Sequence, residues 1–261
     1  MPLLPENRVI QSLWIGSSLS AMEQLGIASH LAHGHEFHLY AYDEIQNVPR
    51  GAILKDAAGI LPASRIFMYK AHASYAGFAN LFRYKLLYDR GGWWSDTDSV
   101  CLQPLDFAGE YVFSSEFSKG ALMVNNGVMK APARSELMRW AWEECDAKDT
   151  SKLEWGETGP VLMAEGVRQF GLVAHVQPHT AFCPVGYKEW RSVLDPRADL
   201  EFGDETYAVH LWNEQWRAAG ADKDEHHHPG CFYERARRAY LGDTERISLE
   251  RIAAILGSVR G

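Results

Sequence analysis

Apolar and polar positions in the first part of the chain alternate between strand-like and helix-like spacing. Residues 8–15 (RVIQSLWI) form an apolar run that predicts a buried strand, and the Gly-Ser-Ser that follows predicts a turn. Residues 20–33 then carry a helical pattern, and residues 36–42 (EFHLYAY) predict a second strand. Strand, helix and strand at this spacing indicate an α/β unit with two parallel strands.

The clearest helical pattern occupies residues 71–90. Apolar side chains recur there every three or four residues and predict a buried stripe of Tyr75, Phe78, Phe82 and Leu86. Asn80 and Arg83 share a different face of this helix. The Gly-Gly that follows predicts its end, because glycine readily adopts the left-handed conformation that closes helices.

The rest of the chain has a less regular pattern. Residues 93–95 predict a short strand that leads directly into Asp96-Thr97-Asp98. Further strands are predicted over 111–115, 120–124 and 207–211, and further helices over 134–145, 160–170 and 248–259. The whole pattern indicates an α/β nucleotide-binding half that is completed by a more variable second half.

Charge and cysteine content narrow the classes of partner and compartment. The formal net charge is −8 and no long basic run is present, which argues against a nucleic-acid partner, whose phosphates call for a basic surface. The four cysteines are scattered without a CxxC motif, which indicates a reducing compartment. Neither a signal peptide nor a run of about 18 apolar residues occurs, so we expect a cytoplasmic protein without a transmembrane segment.

Asp96 and Asp98 are the candidate ligands of a divalent cation. Mg²⁺ and Mn²⁺ prefer oxygen ligands, and such an ion can stabilise the charge on a departing diphosphate. The motif is weak by itself, since Asp222-Lys223-Asp224 is a second one, in a polar stretch that indicates a solvated loop. The context separates the first pair: an amphipathic helix, two glycines and two tryptophans precede it. An ion pair with Arg83, or the capping of a turn, is the structural alternative.

A family resemblance rests on this central segment. Residues 78–98, FANLFRYKLLYDRGGWWSDTD, resemble the signature of the DXD-containing sugar-binding region shared by family 32 glycosyltransferases and the glucosylating domains of large clostridial toxins. RVIQSLWIG near the start resembles the family's first strand, and AVHLWNEQW resembles its late His-Trp segment. VNNGVMKAP and ETGP lie between them in the expected order. The resemblance extends over 8–216.

The resemblance implies a fold, a reaction and a cofactor. The fold is α/β of the GT-A type, with a Rossmann-like central mixed sheet, flanking helices and a variable acceptor-side region. It forms a single domain over 1–261, with a nucleotide-sugar-binding half over 1–130 and an acceptor-side, C-terminal closing half over 131–261. The reaction is retaining transfer of a hexose-type sugar from a nucleotide sugar, UDP-sugar before GDP-sugar, to a hydroxyl of a saccharide or glycolipid. Mn²⁺ or Mg²⁺ would stabilise the leaving diphosphate.

Site roles follow from the resemblance position by position. Catalysis is assigned to Arg83, Asp96 and Asp98, and metal binding to Asp98, Asp96 and His210. Donor binding is assigned to Trp14, Ile15, Asn80, Arg83, Asp96, Asn126, Gly159, Trp212 and Trp216. The chain departs from the family at Asn80, where the family usually has an aspartate three residues before the arginine. An amide can bind sugar hydroxyls but carries no charge.

Several alternatives stay open on the residues alone. Trp14 and His210 also suit a protein core, and Asn125 and Asn126 suit a turn before Gly127 as well as hydrogen bonds to sugar hydroxyls. The run of three histidines at 226–228 near Cys231 is typical of a surface loop. At the level of function, a nucleotide-sugar hydrolase and a catalytically silent nucleotide-sugar-binding or scaffold protein compete with the transferase, and a metal-dependent phosphatase is a weaker choice. Relatives also suggest peripheral association with the inner membrane face.

Overall fold

Strands and helices alternate along the chain, and a computed structural model describes residues 3–69, 72–118, 120–198, 200–242 and 249–257. The strands are β1 (Val9–Trp14), β2 (Glu36–Ala41), β3 (Ile53–Asp56), β4 (Gly92–Ser95), β5 (Ser99–Cys101), β6 (Val112–Ser118), β7 (Ala121–Ala131) and β8 (Ala208–His210). The α-helices are α1 (Ala21–Ala32), α2 (Ala76–Arg90), α3 (Glu136–Asp146), α4 (Leu162–Gln169), α5 (His179–Phe182), α6 (Asn213–Ala219), α7 (Phe232–Tyr240) and α8 (Leu249–Leu256).

Six of these strands form a mixed sheet in the order β3-β2-β1-β4-β7-β6. Strands β1, β2, β3 and β4 run parallel, whereas β7 runs antiparallel to both β4 and β6. A separate antiparallel pair joins β5 to β8. The predicted α/β class with a Rossmann-like mixed sheet flanked by helices is confirmed, including the parallel pairing of β1 with β2.

Each face of the sheet carries its own apolar core. Neighbouring strand residues point to opposite faces, so Trp93 enters one core and Trp94 the other, and both indoles are almost fully buried. The Trp93 core joins α1 to apolar side chains of α5, α7 and α8, and the Trp94 core contains α2, α3 and α4. Because both faces of β4 are buried, the register of this strand in the sheet is fixed. The place where the chain leaves the sheet at Asp96 is fixed with it.

Helix α2 begins later than the predicted residue 71, which lies outside the described residues. Before Ala76 the chain makes a turn in which the Tyr69 amide donates to the Ser74 carbonyl oxygen at 2.9 Å and Ala73 adopts a φ of 47°. The Ser74 carbonyl oxygen already accepts this hydrogen bond, so it is not available to a helix that begins earlier. Tyr75 therefore precedes the helix and is 37 % exposed, rather than buried in the predicted stripe with Phe78.

Strand β7 is the second difference from the predicted elements. A strand was expected over 120–124, with a turn or ligand role for the Asn-Asn-Gly that follows, but β7 continues through Asn126 to Ala131. Pairing with β6 on one side and β4 on the other stabilises an extended backbone at residues that favour turns in isolation. The predicted helix over 248–259 is present as α8, and residues 248, 258 and 259 lie outside the described residues.

All four cysteines are buried and unpaired. In the part of the chain that the structure describes, no helix is both long enough and apolar enough to cross a bilayer.

Helix α1 packs directly on the turn that carries the two aspartates. Gly26 lies in the middle of this helix, and a Cβ atom added there would be 1.9 Å from the carbonyl oxygen of Thr97 and 3.3 Å from that of Ser99. The start of the helix is fixed by the Ser20 amide, which donates to Glu23 at 2.8 Å. Close approach of a helix backbone to the aspartate turn therefore requires glycine at this position.

We predict that Gly26→Ala destabilises the protein although alanine is the better helix former. The added methyl group overlaps the Thr97 carbonyl, and such overpacking costs about 1–3 kcal/mol. Chemical denaturation would measure the loss. Gly59→Ala is the control, because no atom lies within 4 Å of a Cβ atom added there. An alanine at position 26 as stable as wild type would contradict the packing argument.

Buried His30 generates a prediction on acid stability. Its Nδ1 lies 2.8 Å from the Gly26 carbonyl and donates to it, and its Nε2 has no partner. Burial, with His35 and His33 adding positive charge nearby, lowers the pKa of His30 to about 3. His30 therefore takes up a proton near pH 6.5 in the unfolded chain, but only near pH 3 in the folded chain. The stabilisation is complete above that pH and is lost as the pH falls towards 3.

In His30→Gln this part of the pH dependence should disappear. Below pH 6 the free energy of unfolding of the wild type should fall by about 1.4 kcal/mol per pH unit more steeply than that of the variant. Urea titrations between pH 7 and 4 would measure both slopes. Parallel curves for wild type and His30→Gln would refute the assignment.

Candidate active site

A cleft of about 660 Å³ opens where β1 and β4 end at the same edge of the sheet. Ligand sites in open α/β sheets lie outside the carboxyl ends of parallel strands, as here. Nine of the predicted site residues line it: Trp14, Ile15, Asn80, Arg83, Asp96, Asp98, Asn126, His210 and Trp212. The cleft thus combines residues of β1, α2, β7 and β8 with the aspartate turn.

Asp96, Asp98 and His210 form a compact cluster on the wall of this cleft. One ligand atom of each lies within 4.8 Å of the others. Strand pairing produces the cluster, since β5 pairs Ser99 with His210 and the Leu211 amide donates to the Asp98 carbonyl oxygen at 2.9 Å. The Oδ2 atom of Asp98 is 3.3 Å from His210 Nε2.

The same Oδ2 atom also accepts a hydrogen bond of 2.7 Å from the Asn213 amide, at the start of α6. On the other side of the imidazole, Cys183 Sγ lies 3.9 Å from His210 Nδ1, which leaves Nε2 directed at the carboxylate. Both members of the pair are therefore held in place from more than one element.

Arg83 fixes the other carboxylate. Its guanidinium is buried, makes an ion pair of 2.9 Å with Asp96 Oδ1 and donates to the Asn126 carbonyl oxygen. Trp94 donates its indole N–H to the same Oδ1 at 2.8 Å, and its ring lies 4.7 Å from the guanidinium. The ion pair that the sequence offered as a structural alternative is thus formed within the cluster, where it orients Asp96.

Burial has the largest single influence on the pKa values of Asp96, Asp98 and His210. Burial raises the pKa of the Asp96 carboxyl, and Arg83 opposes this rise without cancelling it. Burial also disfavours charge on Asp98 and His210, but each stabilises the charge of the other. The pKa of Asp98 is therefore lowered, and the pKa of His210 is raised well above its usual value. A further positive charge at this site would stabilise both carboxylates.

This donor set fits a divalent cation of the Mn²⁺ or Mg²⁺ type. Carboxylate oxygens suit both ions, and the imidazole nitrogen suits the transition metal. Gly127 leaves room beside the cluster, since a Cβ atom there would be 3.2 Å from Asp96 Oδ2 and 3.2 Å from His210 Cε1. Asp96, Asp98 and His210 are the residues that would hold the ion.

A ring of hydrogen bonds engages Asn80. Its Oδ1 accepts from Asn126 Nδ2 at 2.8 Å, and its Nδ2 donates to the Thr158 hydroxyl at 3.4 Å. Asn126 Nδ2 also donates to the Tyr84 hydroxyl at 3.0 Å, which in turn donates to the Thr158 carbonyl oxygen at 2.9 Å. Asn80 therefore bridges α2, β7 and the segment before α4 while it faces the cleft.

The aromatic residues of the predicted donor site occupy different places. Trp14 ends β1 in the cleft, with Lys223 Nζ 5.6 Å from the centre of its ring. Trp212 adopts a φ of 59°, uncommon for a tryptophan, and this turns its ring to lie 4.1 Å from that of His210. Trp216 departs from the prediction of donor contact. Its indole is fully buried and donates to the Leu211 carbonyl oxygen at 2.9 Å, so it supports the strand end from the core.

Gly159 also lies behind the cleft rather than on its lining. A Cβ atom there would be 3.1 Å from Asn80 Nδ2, so the glycine permits the segment to approach α2. Thr158, the residue before it, supplies the side chain that binds Asn80.

Among the residues that line the cleft, Trp94 and Glu116 were given no role from the sequence. Trp94 holds Asp96 through its indole N–H, and Glu116 and Asn125 line the cleft from the β6–β7 hairpin. Asn125 had been weighed only as a turn residue or sugar ligand. The second Asp-x-Asp stays apart from the cluster, because Asp224 accepts from the Ala21 amide at 2.7 Å and caps α1.

Two family descriptions match this chain, in segments that do not overlap. Residues 40–114 match the glycosyltransferase sugar-binding region containing DXD motif, a segment that includes Arg83, Asp96 and Asp98. Residues 147–238 match the alpha 1,4-glycosyltransferase conserved region, which includes His210. The cluster therefore draws its members from both matched segments.

Solved structures similar to this chain include the PaToxG glycosyltransferase, with 14 % identity, a TM-score of 0.47, and coverage of 90 % of this chain and 86 % of that one. A transferase with two cysteine-to-serine substitutions has 10 % identity, a TM-score of 0.45, and coverage of 65 % and 87 %. Glycosyltransferase GlyE of Streptococcus pneumoniae has 10 % identity, a TM-score of 0.34, and coverage of 66 % and 45 %. The assignment rests on the two family matches: the chain is a glycosyltransferase that carries the DXD-containing sugar-binding region.

Proposed function

We propose that this glycosyltransferase moves a hexose-type sugar from a nucleotide sugar, a UDP-sugar before a GDP-sugar, to a hydroxyl of a saccharide or glycolipid. The observation that carries the proposal is the cluster of Asp96, Asp98 and His210 on the wall of a cleft large enough for such a donor. Bound Mn²⁺ or Mg²⁺ would supply Lewis-acid stabilisation of the diphosphate as it leaves.

Residues of the chain contribute positioning and fixed charge. Asp96 and Asp98 would hold the ion, and His210 would complete its donor set. The buried Arg83 guanidinium faces the cleft beside Asp96 and adds positive charge where the donor's sugar and phosphates lie. Trp14 supports the nucleobase through the ring face that Lys223 leaves free. Trp212 covers His210 and narrows the cleft on the side of α6.

Retention of the anomeric configuration is supported by the second family match. That region is named for alpha 1,4-transfer, and an α-linked product arises from an α-configured nucleotide sugar only when the configuration is retained. Same-face transfer lets the leaving phosphate take up the acceptor proton, so the proposal requires no dedicated general base.

Asn80 stands where the family usually has an aspartate, and this difference is the reason to consider a catalytically silent binding protein. Its amide is held between Asn126 and Thr158, in a place where an aspartate would find the same donor on Asn126. The Thr158 hydroxyl can turn to donate to a carboxylate, as hydroxyl hydrogens rotate to suit their partners. Asparagine and aspartate at position 80 can therefore make the same hydrogen bonds to the surrounding chain. We propose that the difference between them changes the affinity for the donor sugar.

We predict that Asp98→Asn weakens Mn²⁺-dependent UDP binding by about 100-fold or more, because it removes a ligand from an ion that contributes several kcal/mol. Calorimetric titration of UDP with and without Mn²⁺ would measure this. Asp224→Asn is the matched control from the second Asp-x-Asp, since its amide oxygen can still accept from Ala21. If both variants bind UDP with wild-type affinity in Mn²⁺, the metal site is misassigned.

We predict that Asn80→Asp tightens the binding of a UDP-hexose severalfold and leaves that of UDP unchanged. A carboxylate accepts stronger hydrogen bonds from sugar hydroxyls than an amide does. The ratio of the two affinities, measured by calorimetry in Mn²⁺, makes UDP the internal control. Equal changes for UDP and UDP-hexose would show that residue 80 does not sense the sugar.

The hydrolase alternative is tested by products. A transferase yields a new glycoside when wild-type protein, UDP-hexose and a saccharide are combined, whereas a hydrolase releases only free hexose under every acceptor condition.

A further inference from the structure

Glu116 is a carboxylate in the cleft with no part in the metal cluster. It lies on β6 opposite Met123, and both side chains line the cleft together with Asn125. These residues form one face of the β6–β7 hairpin, because alternate strand residues point the same way. Helix α2, with Asn80 and Arg83, contributes a different part of the lining.

The hydrogen bonds of Glu116 leave one oxygen available. Its Oε2 accepts from Asn125 Nδ2 at 3.3 Å. The other end of that amide is fixed, because Asn125 Oδ1 accepts from the Gly127 amide at 2.7 Å. Among the described residues, none donates to Oε1 and none forms an ion pair with Glu116. The orientation of the carboxylate is thus set by one amide, and its second oxygen remains free for a ligand.

Its position beside the cluster limits what that ligand can be. A Cβ atom at Gly127 would lie 2.9 Å from Asn125 Oδ1 and 3.2 Å from Asp96 Oδ2, so Asn125 connects Glu116 to the metal-binding wall. Burial raises the pKa of Glu116, as expected for a carboxyl group with no cationic partner in contact. Phosphate or carboxylate groups on a ligand would be repelled here, whereas a hydroxyl could donate to the free oxygen.

We infer that Glu116 binds a hydroxyl of the acceptor and that the acceptor is a neutral saccharide rather than an acidic one. The inference rests on the proposed function, in which the diphosphate occupies the metal cluster and α2 faces the donor sugar. The hairpin face with Glu116 is a part of the lining that this arrangement leaves open to the acceptor. Asn125 is a positioning residue, because it acts through the carboxylate that it orients.

The test combines donor binding with binding of simple sugars. Calorimetry would first measure UDP and UDP-hexose affinity in Mn²⁺ for wild type and Glu116→Gln. Saturation-transfer NMR would then compare methyl hexosides with the matched methyl hexuronides, on protein loaded with UDP and Mn²⁺. We expect wild type to bind a hexoside but not its hexuronide, and Glu116→Gln to bind that hexoside at least tenfold more weakly. Both donor affinities should change by less than twofold.

Glutamine keeps the shape of the side chain and still offers Asn125 an oxygen that can accept its hydrogen bond. It replaces the free acceptor oxygen by an amide N–H donor, so the variant tests that one oxygen. The control is Glu214→Gln, at a second carboxylate of the cleft that already binds Arg217 at 3.0 Å and Ser74 at 3.2 Å. It should keep hexoside binding.

The outcomes separate this inference from the proposed function. Failure of UDP and Mn²⁺ to bind wild type would refute the proposed function. Normal UDP binding without any hexoside signal, or equal hexoside binding in wild type and Glu116→Gln, would overturn the inference alone. Weaker binding of UDP-hexose but not UDP by Glu116→Gln would also overturn it, because Glu116 would then contact the donor sugar.

Discussion

Two carboxylates two residues apart at the end of a strand, with Asp98 buried and Asp96 half-buried, set the main constraint on this molecule. Each would lose solvation, and together they would repel, unless the surrounding chain supplied donors and positive charge. Asp96 obtains the Arg83 guanidinium and the Trp94 indole N–H, and Asp98 obtains His210 and the Asn213 amide. These partners come from α2, β4, β8 and α6, so much of the fold around the cleft also compensates the two aspartates.

Compensation of this kind means that the cluster is held together by the chain itself, in an arrangement that could hold a cation. Arg83 makes its shorter contact with Asp96 through Oδ1, at 2.9 Å, and a longer one with Oδ2, at 3.5 Å, and the Oδ2 atom also lies on the side of Gly127 and His210. Breaking one partner of a buried charged network costs more than the network itself contributes, because the remaining charge stays desolvated. The arrangement therefore holds both carboxylates in the geometry of a donor set, and a divalent ion completes the charge balance.

Local sequence patterns predicted the elements that form the first βαβ unit, the helix with Arg83 and the strand before Asp96. Each of them has strong periodicity or a glycine stop close by. Tertiary pairing decided the rest. The Asn-Asn-Gly of β7 favours a turn by itself, and two neighbouring strands hold it extended, which places Asn126 beside Asn80. Trp216 was expected in the donor site on family resemblance, but its indole is fully enclosed in the apolar core. No periodicity distinguishes a tryptophan on the cleft from one beneath it.

Glu116 is a residue of the cleft that the sequence could not identify. Its neighbours in sequence, Ser115 and Phe117, give no sign of a site, and its meaning comes from a hairpin partner nine positions later in the chain. As the ring around Asn80 shows, polar groups of this cleft satisfy one another before any ligand arrives. A carboxylate with a free oxygen is the exception to that rule. Glu116 is half-buried in the cleft, so a ligand hydroxyl that enters the cleft can donate to its free oxygen in place of water.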